Sequence, residues 1–200
     1  MTLRSNYPDQ WQQVKSELEQ FGLDLGLFSE IDVYPLRRGN GVGPFQLRVR
    51  GNPIKRKPVG PWRNLMDVGY GVSQILPLLV ELVAPQPSIH LLQQPEIHLH
   101  PRAQAALGTL LCRWLTASRE SRKEPKLIIE THSHYLLDRI RMEVRDEGVP
   151  ITPDDVSVAF FESQGLDVKI HNVKFDQLGN VTAPPSYGRF FWEEISRAVR

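Results

Sequence analysis

The sequence predicts an α/β fold: a parallel sheet core flanked by helices, plus a β-hairpin-rich amino-terminal part and a small antiparallel carboxy-terminal extension. Three observations carry this. Short apolar runs at Ser88 to Leu92 and Lys126 to Glu130 alternate with helix-length segments at Gly71 to Val83, Pro101 to Ala117 and Tyr135 to Val144. That alternation marks a parallel sheet covered on both faces. Strand-like runs separated by glycine- and proline-containing turns lie on either side of this centre. With 200 residues, 40% of them hydrophobic, the chain can bury one core or slightly more.

The elements follow in order. From Asp9 to Phe21, apolar Trp11, Val14, Leu18 and Phe21 share one helical face behind the cap candidate Asp9, and Gly22 is expected to close the helix. Ile31 to Leu36 and Phe45 to Arg50 read as strands joined through Gly39-Asn-Gly-Val-Gly43, with Gly51-Asn-Pro53 as the next turn. The central helices and strands come next, Pro101 occupying the first turn of its helix, where a missing N–H costs nothing. After a Pro150 to Pro153 turn, Val156 to Glu162 and Val168 to Val173 alternate as an antiparallel pair, and Arg189 to Val199 is expected to close the chain as a helix. The corresponding domains are 1–63, 64–148 and 149–200.

Charge narrows the function classes. With 24 Lys+Arg against 23 Asp+Glu the net charge is +1, so no global imbalance points to nucleic acid or membrane. The longest apolar run, Ile75 to Ala84, contains Pro77 and Glu81 and is far short of the ~20 residues of a membrane span. The first residues lack the apolar stretch of a signal peptide, and one cysteine, Cys112, excludes a disulfide framework and a cysteine-based zinc site. A soluble, cytoplasmic chain is expected. One local asymmetry remains: Arg37 to Arg63 holds eight basic residues and no acidic one. Among them Arg48, Arg50, Lys55, Arg56 and Lys57 are candidates for neutralising a nucleic-acid backbone; the alternative is a solvated edge that discourages strand pairing.

Chemistry-bearing residues gather in four clusters at element ends: Asp67-Val-Gly-Tyr-Gly-Val-Ser-Gln74, Leu91-Leu-Gln-Gln-Pro-Glu-Ile-His-Leu-His-Pro101, Ile129-Glu-Thr-His-Ser-His134 and Phe175-Asp-Gln-Leu-Gly179. The second and third follow strands, where open α/β sheets place their ligands. The order of these motifs resembles the second half of an ABC-type ATPase domain, in the bacterial AAA-family ATPases related to the OLD (overcoming lysogenization defect) and SMC-like proteins. GYGVSQ resembles the signature motif, LLQQPEIHLHP the Walker B strand running into the D-loop, and IIETHSH the switch-histidine strand. FDQLGN with Phe190-Phe191 is similar to a carboxy-terminal extension of one branch. The resemblance covers roughly Asn64 to the end and implies a partial ABC-type ATPase lobe.

The resemblance also implies roles. Gly69, Gly71, Ser73 and Gln74 would meet the γ-phosphate of nucleotide held by the opposite subunit, which suits free N–H groups at a helix start. His98 and His100 lie in the D-loop-like segment, and His132 takes the place of the switch histidine. His90, His134 and His171 read as ordinary hydrogen-bonded residues at element boundaries. Gln93 and Gln94 stand where carboxylates would hold Mg²⁺ and polarise water; a neutral amide can hydrogen-bond a metal-bound water but can neither supply the negative charge that retains Mg²⁺ nor accept a proton. The branch commonly reads Glu-Gln-Pro-Glu, so Gln93 is the departure, either natural degeneration or an engineered change. Glu96 is the fallback base. No GxxxxGK[ST] occurs, and Gly39 to Gly43 lacks the lysine and hydroxyl pair. The phosphate-cradling lobe is therefore expected elsewhere: removed, on another polypeptide, or lost.

The function expected is a nucleotide-dependent dimerisation switch, inactive alone, using ATP and Mg²⁺ in the complete ATPase with neither bound tightly by this chain. Its partners would be a P-loop-containing lobe or second ATPase subunit in a homo- or heterodimer, and a nuclease or toxin effector, in antiphage defence or DNA-associated processes. Two rivals remain. One is a metal-dependent phosphoesterase built from His98, His100, His132, His134 and Glu96; the other is a non-catalytic regulatory interaction module.

Overall fold

The computed structural model describes residues 8–36, 43–51, 60–83, 89–119, 125–146 and 148–188. Its architecture is mixed α/β, in two compact units, Met1–Arg139 and Ile140–Arg200. The expected links at 39–43 and 51–53 lie largely, and the closing helix at 189–199 wholly, outside the described residues.

In the first unit, helix α1 (Pro8–Asp24) buries Leu18 and runs past Gly22. Gly22 is therefore not a stop. It is a packing position, because a Cβ there would lie 2.5 Å from the Phe28 ring. The reversal falls at Gly26, whose φ of 71° is the left-handed conformation glycine adopts without a Cβ penalty. Strands β1 (Glu30–Pro35) and β2 (Phe45–Arg50) pair antiparallel with Ile31 opposite Val49, and both side chains are buried. A short third strand, β3 (Arg63–Asn64), adds to β2. Two residues carry too little alternation to be read from sequence, yet this strand ties the hairpin to the segment after it, so residues on both sides of position 63 share one unit.

Asn64 caps the turn at Leu65–Asp67, its Oδ1 accepting from Met66 N at 3.1 Å. Helix α2 (Tyr70–Val83) then buries Val72, Ile75, Leu76, Leu79 and Leu82, while Pro77 sits on its exposed side. Strand β4 (Ile89–Gln93), helix α3 (Pro101–Arg119) and strand β5 (Lys126–Glu130) form a β-α-β passage, and β4 and β5 pair in parallel with Leu91 opposite Ile128. On one face His90 is buried with its ring 4.9 Å from that of Trp114, whose indole N–H donates to Leu82 O at 2.7 Å. The other face is bare: Ile89 is 52%, Leu91 74% and Ile128 61% exposed. Helix α4 (His134–Asp146) starts just beyond β5, and a Cβ at Gly108 of α3 would come within 2.9 Å of Leu136 O, so glycine permits the close helix approach.

In the second unit, Asp155 Oδ2 accepts from Thr152 N at 2.8 Å and Thr152 Oγ1 at 2.9 Å, and Asp155 N donates to Thr152 O at 3.0 Å, closing the turn Pro153–Asp155. Strands β6 (Val158–Gln164) and β7 (Asp167–Phe175) form a hairpin. Its two-residue loop starts at Gly165, with φ 70°, the turn chemistry such a hairpin needs. Strand β8 (Val181–Thr182) completes the sheet.

Candidate functional site

Three of the four sequence clusters meet in the first unit, at the carboxyl ends of β4 and β5. The backbone leaves β4 through a tight turn: Gln94 N donates to Glu130 O at 2.8 Å, Ile97 N to Gln94 O at 3.1 Å and Leu99 N to Glu96 O at 3.0 Å. Gln94 and His98 have φ of 45° and 64°, and among the described residues they are the non-glycine positions with positive φ. Such conformations cost of order 1–3 kcal/mol each and persist only where the surroundings enforce them.

Between them lies Glu96, 5% exposed. Its Oε1 accepts from Thr131 Oγ1 at 2.7 Å and from His132 N at 3.0 Å, joining the turn after β4 to the turn after β5. Thr131 Oγ1 in turn accepts from Ser133 N at 3.0 Å, Ser133 Oγ donates to Gln104 Oε1 at 2.6 Å, and Gln104 Nε2 donates to Leu99 O at 2.8 Å. Ser133 Oγ also accepts from Leu136 N, in the first turn of α4. Glu96 Oε2 is buried without a hydrogen-bond partner. The expectation of Glu96 as a fallback base did not foresee these bonds: the oxygen best defined by the fold is engaged with Thr131 and His132.

The GYGVSQ element closes the cluster from the other side. The Tyr70 ring packs edge-on to His98 with centroids 4.5 Å apart, and a Cβ at Gly71 would lie 2.6 Å from His98 O. Glycine at 71 is thus required by contact with the neighbouring turn, a need that motif spacing does not reveal. Gly69 differs, with open space where its Cβ would project. The Ser73 hydroxyl donates to Tyr70 O at 2.8 Å inside the helix, and His100 Nδ1 accepts from Ala103 N at 3.2 Å, capping α3. Both side chains therefore have local structural work that spacing did not reveal. Gln74, Gln93 and Gln94 line, with Leu78, Leu91 and Ile97, a groove of about 320 Å³ between α2 and β4. His132 is exposed at the end of β5.

The metal rival fares poorly. Among the described residues no three His, Cys, Asp or Glu side chains gather as ligands, so His98, His100, His132, His134 and Glu96 do not form one centre. His134 is held below its ordinary value by burial, with Asp138 opposing more weakly. Gln93 and Gln94 are neutral amides that bring no negative charge to a Mg²⁺, and Glu96, the buried carboxylate of this turn, is bonded to the β5 turn.

The nucleic-acid candidates divide. Arg48 and Arg50 pair across the strands with Asp32 at 2.9 Å and Glu30 at 2.8 Å, and their guanidinium groups lie over the Tyr34 and Trp62 rings at 3.8 and 4.5 Å. The acids that balance them stand upstream, outside the window in which the basic residues cluster. Lys55, Arg56 and Lys57 lie outside the described residues. In the second unit, the FDQLG cluster forms a self-satisfied turn: Asp176 Oδ1 accepts from Leu178 N and Asn180 N, both at 2.8 Å, and these bonds, with the Asn180 side chain foremost, hold the carboxyl below its ordinary value.

Residues 56–138, less than half of the chain, match the family described as "AAA domain, putative AbiEii toxin, Type IV TA system". No curated protein matches. Among solved structures, one from work on ATP-driven dimerization and DNA-stimulated activation of SMC ATPases superposes with TM-score 0.55 at 12% identity, covering 93% of this chain and 92% of that one. The Smc head bound to the C-winged helix domain of ScpA gives 0.53 at 10% identity, over 82% of this chain and 43% of that chain. An Smc head with an extended coiled coil, bound to the C-terminal domain of ScpA derived from Pyrococcus furiosus, gives 0.54 at 11% identity, over 93% and 38%. The chain thus spans less than half the length of the latter two. At these identities the likeness is one of fold: the chain is similar to SMC ATPase heads.

Proposed function

We propose that this chain is the signature, Walker B and switch half of an ABC-type ATPase, acting as a nucleotide-dependent dimerisation switch whose P-loop comes from a partner lobe. The observation that carries the reading is the bare face of the β4–β5 pair. Parallel sheets are covered on both faces, and here Leu91 and Ile128, directly opposite one another, stand 74% and 61% exposed. A lobe laid against that face would supply the missing layer. The match of residues 56–138 to an AAA domain and the SMC-head fold support the assignment.

Within this scheme the open space at Gly69, at the start of α2, suits the γ-phosphate of ATP held by the partner, as backbone N–H groups at a helix start favour anions. His132 offers an exposed imidazole for the same group. Mg²⁺ would be retained by the partner, since the glutamines here cannot hold it, and the chain alone would not hydrolyse ATP. The matched family is described as a putative AbiEii toxin of a Type IV TA system, and a role in antiphage defence with a toxin or nuclease effector belongs to this proposal.

Sedimentation of the chain with the P-loop-bearing chain expressed alongside it tests this. A heavier species in ATP than in ADP is expected, with phosphate release by the chain alone at background. Equal association in both nucleotides, or Mg²⁺-dependent release by the chain alone that disappears in His132→Ala, overturns it.

A further inference from the structure

We propose that Glu96 is the positioning residue of the switch histidine: its buried carboxylate fixes the backbone of His132 and transmits to it the state of the Gln93-Gln94 turn. The proposal rests on the reading of His132 as a phosphate-facing group and deepens it. Four observations converge. Glu96 is buried, yet the one element end it bonds besides its own turn is the segment that carries His132. One oxygen, Oε1, takes both the Thr131 hydroxyl and the His132 N–H, so the φ/ψ choice at the β5 exit is set by this carboxylate. The turn bearing Glu96 is flanked by the strained backbones of Gln94 and His98, so it sits in a conformation that an alternative arrangement would relax. The same turn is pressed by Tyr70 and by the Gly71 backbone, the element expected to sense nucleotide across an interface.

Physically, a contact that moves α2 against His98 displaces the Glu96 turn, and the displaced carboxylate carries the His132 amide with it. Two hydrogen bonds on one buried oxygen tie the β5 exit to this turn, which makes the link stiffer than a backbone turn alone.

Amide hydrogen exchange on the chain itself tests the link. Glu96→Ala should speed exchange at His132 and Ser133 by about tenfold or more, corresponding to loss of one such bond, while amides in α1 and β1 stay within about twofold. Glu96→Gln keeps an acceptor oxygen in place and should restore most of the protection. If Glu96→Ala does not fold, Glu96→Leu takes its place; Thr131→Val, which removes only the hydroxyl shared by Glu96 and Ser133, should speed exchange at Ser133 while His132, whose N–H bonds Glu96 directly, stays protected. Uniform acceleration across the unit, or no change at His132 in any variant, overturns the proposal. Association with the P-loop-bearing partner separates this from the function itself. Loss of ATP dependence in His132→Ala but not in Glu96→Ala overturns the positioning role alone. Local exchange effects with ATP dependence intact in both variants leave positioning standing and remove the nucleotide role of His132.

Discussion

The two sheets of the first unit solve the same problem differently. The β1–β2–β3 sheet buries Ile31, Val33 and Val49 on one side and covers the other with its own side chains, Arg48 and Arg50 bridging to Asp32 and Glu30 and lying over Tyr34 and Trp62. The β4–β5 pair covers only the side that faces Trp114 and leaves Ile89, Leu91 and Ile128 to solvent. Antiparallel hairpins can face water on one side; parallel strands are found sandwiched. The first sheet covers its second face with its own side chains, and the second leaves apolar side chains exposed there.

The sharpest way to break this contrast is to truncate one residue from each sheet. Ile31→Ala, in the closed sheet, should cost about 2–5 kcal/mol in urea unfolding, whereas Leu91→Ala should stay within about 0.5 kcal/mol. The second variant should instead weaken association with the partner lobe. Equal losses of stability in the two variants would mean that the β4–β5 face is already covered in solution.

A smaller effect separates the two glycines of GYGVSQ. Gly71→Ala drives a methyl group toward His98 O and should destabilise by about 1–3 kcal/mol, while Gly69→Ala, projecting into open space, should change stability by no more than about 0.5 kcal/mol. Thermal melts of the two variants decide. A neutral Gly71→Ala would return the motif to a purely ligand-facing role.

The smallest effect concerns the ladder that finishes the first sheet. A double-mutant cycle on Arg50 and Glu30 should return a coupling of about 0.2–1 kcal/mol that shrinks in high salt, as expected of a partly exposed pair. A coupling of zero would leave aromatic stacking as the cover.

Much of this was legible in the sequence because apolar periodicity is a local signal. β2 and β5 begin and end where alternation and turn residues place them, the other helices and strands expected within the described residues differ by one to three residues at their ends, and the two-residue strands β3 and β8 were not expected at all. Gly22 misled because composition does not distinguish a glycine that ends a helix from one that admits a ring, here that of Phe28. The sequence placed the three clusters at element ends, where they meet, but not their internal wiring. Nothing in the spacing of Glu96, Thr131 and Ser133 states that one carboxylate joins two strand ends, since residues 35 apart become neighbours only through the β-α-β crossover. The charge window misled similarly: Asp32 and Glu30 neutralise arginines that are sixteen and twenty residues away in sequence.

The single cysteine lies in α3, 3% exposed, among Leu107, Leu110 and Leu111. A thiol reagent can reach Cys112 only when that packing opens, so its modification rate measures the population of the opened form. Compared with the rate in the unfolded chain, it becomes a built-in clock for breathing of the layer beneath β4. Run with and without a partner seated on the opposite face, the same clock reports how far closure of one side of the sheet quiets the other.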